Sequence, residues 1–395
     1  MGIDLNNGQI DCVYKLEHWW KSSTAQLFQI TGAGGTGKTT VVRYLIDRLG
    51  LEYDEVLFVT FMGKAATRLA RTGLPARTIH STIYTYEKVI ARDENNKIIF
   101  KDNGKPKLVS KFILKDHLNK KIKLIVVDEG SMIDEKIGKD LESFDIPIIV
   151  LGDLNQLPPV YGNSYFLDNP DYTLTEIMRQ AENSPIIRLE QMVLNDEPLK
   201  HGIYGNSCAV IPKKDINEFY FKDSDIILTC TNRLRYNINN FCREEIKKIV
   251  KLEYPHIGEK VICRKNNWDK CIDNNIYMTN GMTGYVDYIY RDSFNGKTMT
   301  MDFRPDFIKK TFKNVTFSYK HMYEIPGNNE EETFTDIYND KMEYAYAITV
   351  HSSQGSEWDK VLYLHEEMMR NKDDRKKLLY TAISRAVKSI IIVKD

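Results

Sequence analysis

Short apolar runs, separated by polar stretches long enough for a helix, set the rhythm of this chain. Leu27-Phe28-Gln29-Ile30, Val56-Leu57-Phe58-Val59-Thr60, Leu124-Ile125-Val126-Val127 and residues 146–151 are apolar at consecutive rather than alternate positions. That is the pattern of strands buried on both faces of a parallel sheet. A helix is predicted directly after the first run and another over residues 64–71. A second series starts at Asp225-Ile226-Ile227-Leu228-Thr229, continues through a helical stretch at 234–250, and is completed by runs at 345–350, 361–364 and 390–393. Two strand–helix series predict an α/β protein with two parallel-sheet lobes.

Two segments break this rhythm. Residues 96–109 carry strand-like arms around Asn103-Gly104, a strong hairpin signal. Residues 256–342 hold short β patterns at 260–263, 284–290, 297–303 and 315–319, which predict a small barrel inserted in the second lobe. The expected layout is a first lobe over 1–170 with a hairpin insertion at about 84–111, a second lobe over 171–255 and 343–395, and the β insertion over 256–342.

The loop after the first run reads Gly32-Ala33-Gly34-Gly35-Thr36-Gly37-Lys38-Thr39-Thr40, a complete G-x-x-x-x-G-K-S/T phosphate cradle. Its glycines let successive N–H groups turn toward one anion, Lys38 reaches the β- and γ-phosphates, and Thr39 offers a hydroxyl to Mg²⁺. The third run ends in Asp128-Glu129. Asp128 is suited to hold Mg²⁺ through water, and Glu129 to orient or deprotonate the attacking water. ATP and Mg²⁺ are therefore the expected cofactors.

Composition narrows the partners. Lys plus Arg and Asp plus Glu number 55 each, which rules out a uniformly basic coat, so any nucleic-acid path is local. The lysine-rich stretches at 105–111, 120–123 and 247–251 read first as solvated faces. Six scattered cysteines form no C-x-x-C pair and read as reduced and structural. With no apolar run long enough to span a bilayer and no secretory signal over residues 1–9, a cytoplasmic protein without membrane contact is expected, in the host cytoplasm if phage-encoded.

The ordered motifs resemble superfamily 1B DNA helicases of the RecD-like and Dda-like type. The resemblance implies two RecA-like lobes, a hairpin pin and an SH3-like insertion. Leu5-Asn6-Asn7-Gly8-Gln9 looks like the Q motif, with Gln9 presenting its amide to adenine. Leu151-Gly152-Asp153-Leu154-Asn155-Gln156-Leu157-Pro158-Pro159-Val160 looks like motif III, with Gln156 sensing the γ-phosphate. Leu174-Thr175-Glu176-Ile177-Met178-Arg179-Gln180 and Leu378-Leu379-Tyr380-Thr381-Ala382-Ile383-Ser384-Arg385-Ala386 resemble motifs IV and VI, which implies that Arg179 and Arg385 approach the γ-phosphate from the second lobe. Val350-His351-Ser352-Ser353-Gln354-Gly355-Ser356-Glu357 resembles motif V, implying Gly355 and Glu357 near the nucleotide and His351 and Ser353 near the strand.

The same resemblance places Thr60, Gly63, Lys64, Thr78 and His80 on phosphates of the DNA track, although Phe61-Met62 and Ser352 depart from the family pattern. It implies 5′→3′ movement on single-stranded DNA, action at single/double-strand junctions, function as a monomer, and single-strand-binding or replisome proteins as partners. Phe100 in the hairpin is the candidate strand-separating wedge, with the hairpin's own packing as its alternative role. RNA stays open as a track, since phosphate grips do not by themselves read the 2′-OH. A motor subunit with little unwinding of its own is the rival reading.

Overall fold

The structure, a computed structural model, describes the chain except residues 1–4, 24, 91, 93–95, 101–103, 105, 107, 159–163, 179–182, 250–253, 273–275, 292–297, 323–338 and 367–370. Arg179 therefore lies outside the described residues.

The first lobe opens on α1 (Asn7–Ser22), which starts at a capping box. The Asn6 side chain accepts from the Gln9 amide, and Gln9 Oε1 accepts from the Asn6 N–H. There follow β1 (Leu27–Gly32), α2 (Lys38–Leu49), β2 (Val56–Thr60), α3 (Gly63–Arg71), β3 (Arg77–Thr78), α4 (Ile79–Ile83), the antiparallel pair β4 (Tyr84–Ile90) and β5 (Leu108–Leu114), β6 (Leu124–Asp128), α5 (Glu135–Glu142), β7 (Ile148–Gly152) and β8 (Tyr172–Leu174). The sheet runs β3-β2-β6-β7-β1-β8, parallel throughout.

Every position of β6 and β7 is buried. Alternate residues feed opposite faces: Phe58, Val126, Ile149 and Leu151 join the core under α1 and α2, whereas Val59, Ile125, Val127, Ile148 and Val150 join the core against α5. That is why the sequence shows unbroken apolar runs.

The second lobe contains α6 (Pro185–Leu194), β9 (Gly202–Tyr204), β10 (Cys208–Pro212), α7 (Glu218–Asp223), β11 (Ile226–Thr229) and α8 (Asn232–Phe241). The insertion then supplies β12 (Lys260–Cys263), β13 (Asn267–Ile272), β14 (Ile276–Met278), β15 (Thr283–Tyr290), β16 (Thr298–Pro305), β17 (Phe312–Ser318) and β18 (Met342–Tyr344). The lobe resumes with β19 (Ala347–Thr349), β20 (Trp358–Leu364), α9 (Lys372–Ile383) and β21 (Ala386–Lys394). Its sheet order is β19-β11-β20-β21-β10-β9, parallel except for the β9/β10 pair. The two expected RecA-like lobes are thus present.

The single helix expected over 234–250 instead ends at Phe241 and continues as a π-helical turn over Cys242–Ile246. Arg243 in that turn is buried and pairs with Glu259 at 2.7 and 3.1 Å. Arg235 on α8 pairs with Glu343, which Arg264 also meets at 2.8 Å. Glu259 precedes β12 and Glu343 lies in β18, so buried ion pairs anchor the insertion at both of its ends. Deleting one partner of such a pair costs about 3–5 kcal/mol.

Within the insertion, β17-β16-β15-β12-β18 form an antiparallel sheet around Met299, Met301, Phe303, Phe312 and Phe317. Its edges approach each other ahead of β18, where the Asp340 N–H donates to Thr316 O at 2.8 Å and the Ser318 N–H to Asp340 O at 3.3 Å.

Candidate functional site

Gly35 and Gly37, between β1 and α2, adopt φ of +77° and +80°, a region open to glycine at little cost. A Cβ on Gly37 would lie 2.3 Å from Gln9 Nε2 and 2.9 Å from Met178 Sδ. Space and conformation therefore both demand glycine. Buried Thr36 donates its hydroxyl to Ala33 O at 2.9 Å, and Lys38 Nζ donates to Gly32 O at 2.5 Å and Ala33 O at 3.1 Å. The lysine thus folds back over the loop ahead of α2, and a glycine-rich loop leading into a helix N-terminus suits a phosphate chain.

Gly34, Gly35, Gly37, Lys38, Thr39 and Thr40 line one cavity of about 690 Å³ with Asp128, Glu129, Gln156, Glu357 and Arg385. Both lobes therefore contribute walls. Glu129 sits in the left-handed region at φ 57°, ψ 42°, a strained conformation for a residue with a Cβ. Gly130 next to it is wedged so tightly that a Cβ would lie 2.2 Å from Val150 Cγ1. Burial, and then Glu129, push the Asp128 carboxyl upward, while Arg68 and Lys38 oppose that shift. No cluster of three or more His, Cys, Asp or Glu side chains able to hold a metal occurs among the described residues. The Thr39 hydroxyl and Asp128 carboxylate are hard oxygen donors that suit a divalent cation sharing its remaining ligands with phosphate.

Side chains that the motifs did not single out bind the lobes together. Tyr380 on α9 accepts from the Gly34 N–H at 3.1 Å and donates to Asp153 Oδ2 at 2.6 Å. Thr381 Oγ1 accepts from the Leu157 N–H at 2.9 Å, and Gln354 Nε2 donates to Leu157 O at 2.5 Å. These bonds clasp the loop that carries Gln156. Buried Arg385 is held by Thr381 O at 3.1 Å, Ser356 O at 3.2 Å and Ser384 Oγ at 2.9 Å. Glu190 on α6 is also buried, its Oε2 bonded to nothing and 3.1 Å from where a Gly34 Cβ would stand. Burial and the nearby Asp153 push its carboxyl up to about 8, against the pull of Arg385 and Lys38. The sequence carried one signal for it: an acid among Ile186, Leu189 and Val193 on the buried face of a helix.

The structure shows how several of the expected residues are held. Gln9 is buried, with Oε1 accepting in the capping box and Nε2 donating to Thr36 O at 3.0 Å, which leaves one lone pair and one N–H of the amide for a base edge. Gly32 and Thr36 build the loop from behind rather than lining the cavity. Gly355, at φ +67°, faces Met62 of the first lobe, whose Cγ would be 3.1 Å from an added Cβ.

On the strand side, Thr60 is fully buried and donates to Met62 O at 2.8 Å. Lys64 turns inward, 3.2 Å from Asp306 Oδ2 and 4.0 Å from the centre of the Trp358 ring. His80 packs among the rings of Phe61, Tyr84 and Phe112, and burial lowers its pKa. Thr78 caps α4 through Ser81, and Ser353 is buried with its hydroxyl on Val350 O at 2.7 Å. His351 is half-buried, and burial lowers its pKa. These hydroxyls and rings are used inside the fold. Gly63 and Thr78 nonetheless border a groove of about 250 Å³, with Arg77 on the same side and Tyr277 and Thr279 of the insertion opposite. Phe100 is 56% exposed and forms an isolated bridge with Pro106, and Gly104 has φ +72°, while Asn103 of the expected turn lies outside the described residues.

Residues 19–162 match the AAA domain family, and residues 344–393 match the UvrD-like helicase C-terminal domain. The chain is 27% identical to the ATP-dependent RecD2 DNA helicase of Deinococcus radiodurans over 391 residues, covering 91% of this chain and 46% of that protein. It is 30% identical to the ATP-dependent DNA helicase dda of Enterobacteria phage T4 over 180 residues, covering 42% of this chain and 37% of that protein. It thus spans less than half the length of each of these relatives. A Bacteroides Pif1 solved with bound single-stranded DNA shares the fold, with a TM-score of 0.51 and 18% identity over 99% of this chain and 92% of that one. The AAA-domain match falls on the lobe that bears the cradle and the UvrD-like helicase C-terminal match on the lobe that contributes Arg385, so both lobes carry a family match.

Proposed function

We propose that this chain is an ATP-dependent DNA helicase that moves 5′→3′ on single-stranded DNA and opens duplex at a junction. One observation carries the reading: a phosphate cradle and two strand-end acids from one lobe share a cleft with Arg385 of the other. Lys38 and the loop amides bind the triphosphate. Thr39 and Asp128 would hold Mg²⁺, which supplies positive charge to the β- and γ-phosphates when bound. Glu129 orients the attacking water and accepts its proton, and Gln156 reports on the terminal phosphate. Arg385 stabilises charge that develops on the transferred phosphoryl group, a role the motif resemblance extends to Arg179.

The cross-lobe bonds at Gly34, Asp153 and Leu157 give the second lobe a direct hold on the cradle and on the Gln156 loop. A change at the phosphates therefore reaches the second lobe and its anchored insertion. Repeated closure and opening would move the two sides of the groove at Gly63, Thr78, Tyr277 and Thr279 past each other along a strand. The exposed Phe100 ring would stack on the last base pair.

Strand separation on forks with a 5′ or a 3′ single-stranded tail tests this reading. The expected result is ATP-dependent unwinding of the 5′-tailed fork alone. Unwinding of the 3′-tailed fork would overturn the polarity, and ATP hydrolysis stimulated by DNA without unwinding would favour a motor subunit.

A further inference from the structure

Helix α3 carries two cations one turn apart, Lys64 and Arg68, and each reaches out of the first lobe to consecutive residues of the second. Lys64 lies over the Trp358 ring and meets Asp306 of the insertion. Arg68 pairs through one guanidinium nitrogen with Glu357. Through the other it faces Asp128 at 3.5 Å and Glu129 at 3.6 Å. One guanidinium thus answers three carboxylates, two of which are the acids assigned above to metal binding and water activation. Its positive charge takes the place beside Asp128 and Glu129 that suits a cation.

We propose that Arg68 is the resident counter-cation of these two acids and is displaced toward Glu357 when a metal–nucleotide complex binds, so that site occupancy is passed to α3. The inference rests on the nucleotide-site reading above and assigns a positioning role to a side chain outside its motifs. Arg68 and a metal ion compete for one place. Asp128 and Glu129 are nearly buried, with side chains 11% and 12% exposed, and the guanidinium 3.5 and 3.6 Å away stands where a cation bound to both would stand. A divalent cation outbids a single guanidinium shared among three acids. Glu357, at 34% exposure, keeps Arg68 paired after it leaves, so the exchange strands no buried charge. Because α3 starts at Gly63 in the groove wall and clasps Trp358 through Lys64, a shift at Arg68 acts on the lobe and insertion contacts at once.

The test follows binding of a fluorescent ADP to the full chain as free Mg²⁺ is raised, at nucleotide concentrations saturating for each variant, together with amide hydrogen exchange of residues 63–71. Arg68→Ala should reach half-saturation at about fivefold lower free Mg²⁺ than wild type, because no side chain competes for the acids. Arg68→Lys, which keeps the charge, should stay within about twofold of wild type. Mg·ADP should change α3 exchange in wild type but not in Arg68→Ala. Should truncation prevent folding, as a melting curve would show, Arg68→Gln keeps the stem and donors and carries the same expectation. An unchanged or higher Mg²⁺ requirement in the uncharged variant, or an α3 response that survives it, overturns the proposal. Wild-type protein that binds no nucleotide at any Mg²⁺ concentration overturns the site reading beneath it.

Discussion

The proposed nucleotide cleft lies between the two lobes, the proposed strand groove between the first lobe and the insertion, and they are built by different means. In the cleft, main-chain conformation sets the surface: two glycines with positive φ ahead of α2 and a left-handed Glu129 at the end of β6. Side chains enter it from fixed strand and helix ends. Among the residues expected to touch a strand, the hydroxyls and rings are committed to the fold. Thr60, Thr78 and Ser353 bond the main chain or cap a helix, His80 fills an aromatic cluster, and Lys64 serves the lobe and insertion contacts. The contrast teaches that backbone geometry shapes the cleft, whereas the groove proposed as the track is shaped by what the insertion sets opposite α3 and β3.

The sharpest way to break this contrast is at Lys38. Lys38→Ala removes the charge above the cradle without opening a core cavity, so DNA-stimulated ATP turnover should fall by about a thousandfold while the melting temperature holds. Near-normal turnover in a folded variant would show that the main-chain cradle does not serve phosphate. Arg385→Ala tests the wall contributed by the second lobe. It should lower kcat by about a hundredfold while nucleotide affinity changes little, since a charge across the cleft acts mainly in the transition state. Loss of affinity with unchanged kcat would make Arg385 a ground-state anchor instead.

This difference in construction also explains what was legible in the sequence. The apolar runs marked both sheets because β6 and β7 in the first lobe and β11 in the second are buried at every position, and the cradle was readable because its spacing dictates its backbone. The part Gln9 plays in closing the capping box and holding Thr36 O is a tertiary feature that its motif does not announce. Glu190 showed only as an acid on a buried helix face, whereas Arg68 and Tyr380 meet partners more than fifty residues away in the chain, and no local pattern announces such meetings. The π-helical turn after Phe241 escaped notice for the same reason, since Arg243 bends inward for Glu259, sixteen residues on.

Phe100→Ala sharpens the other side of the contrast. The ring is exposed, contributes little to a core, and lies on an excursion separate from the cleft. Unwinding of a 5′-tailed fork should fall by about tenfold, the value of one lost stacking contact, while DNA-stimulated ATP turnover and movement on bare single strands stay near wild type. Normal unwinding would place the wedge elsewhere. A parallel loss of ATP turnover would make the hairpin part of the strand grip.

The smallest effect expected is on stability, and it probes the cleft from its silent side. Glu190 holds its proton up to about pH 8 in the folded chain because burial and Asp153 disfavour its charge, whereas an unfolded glutamate releases it near pH 4.3. Between those values the native state binds more protons than the unfolded one, so this side chain lowers stability progressively as pH rises through the window, and its effect levels off above the folded pKa. Glu190→Gln has no proton to lose. Urea unfolding should therefore give nearly equal stabilities for the two proteins at pH 4.5, and an advantage for the variant that grows to about 1–3 kcal/mol by pH 8.5. Parallel curves across that range would mean that the buried carboxyl is already compensated as an anion by Lys38 and Arg385. The second lobe would then meet the cradle with a negative rather than a neutral group.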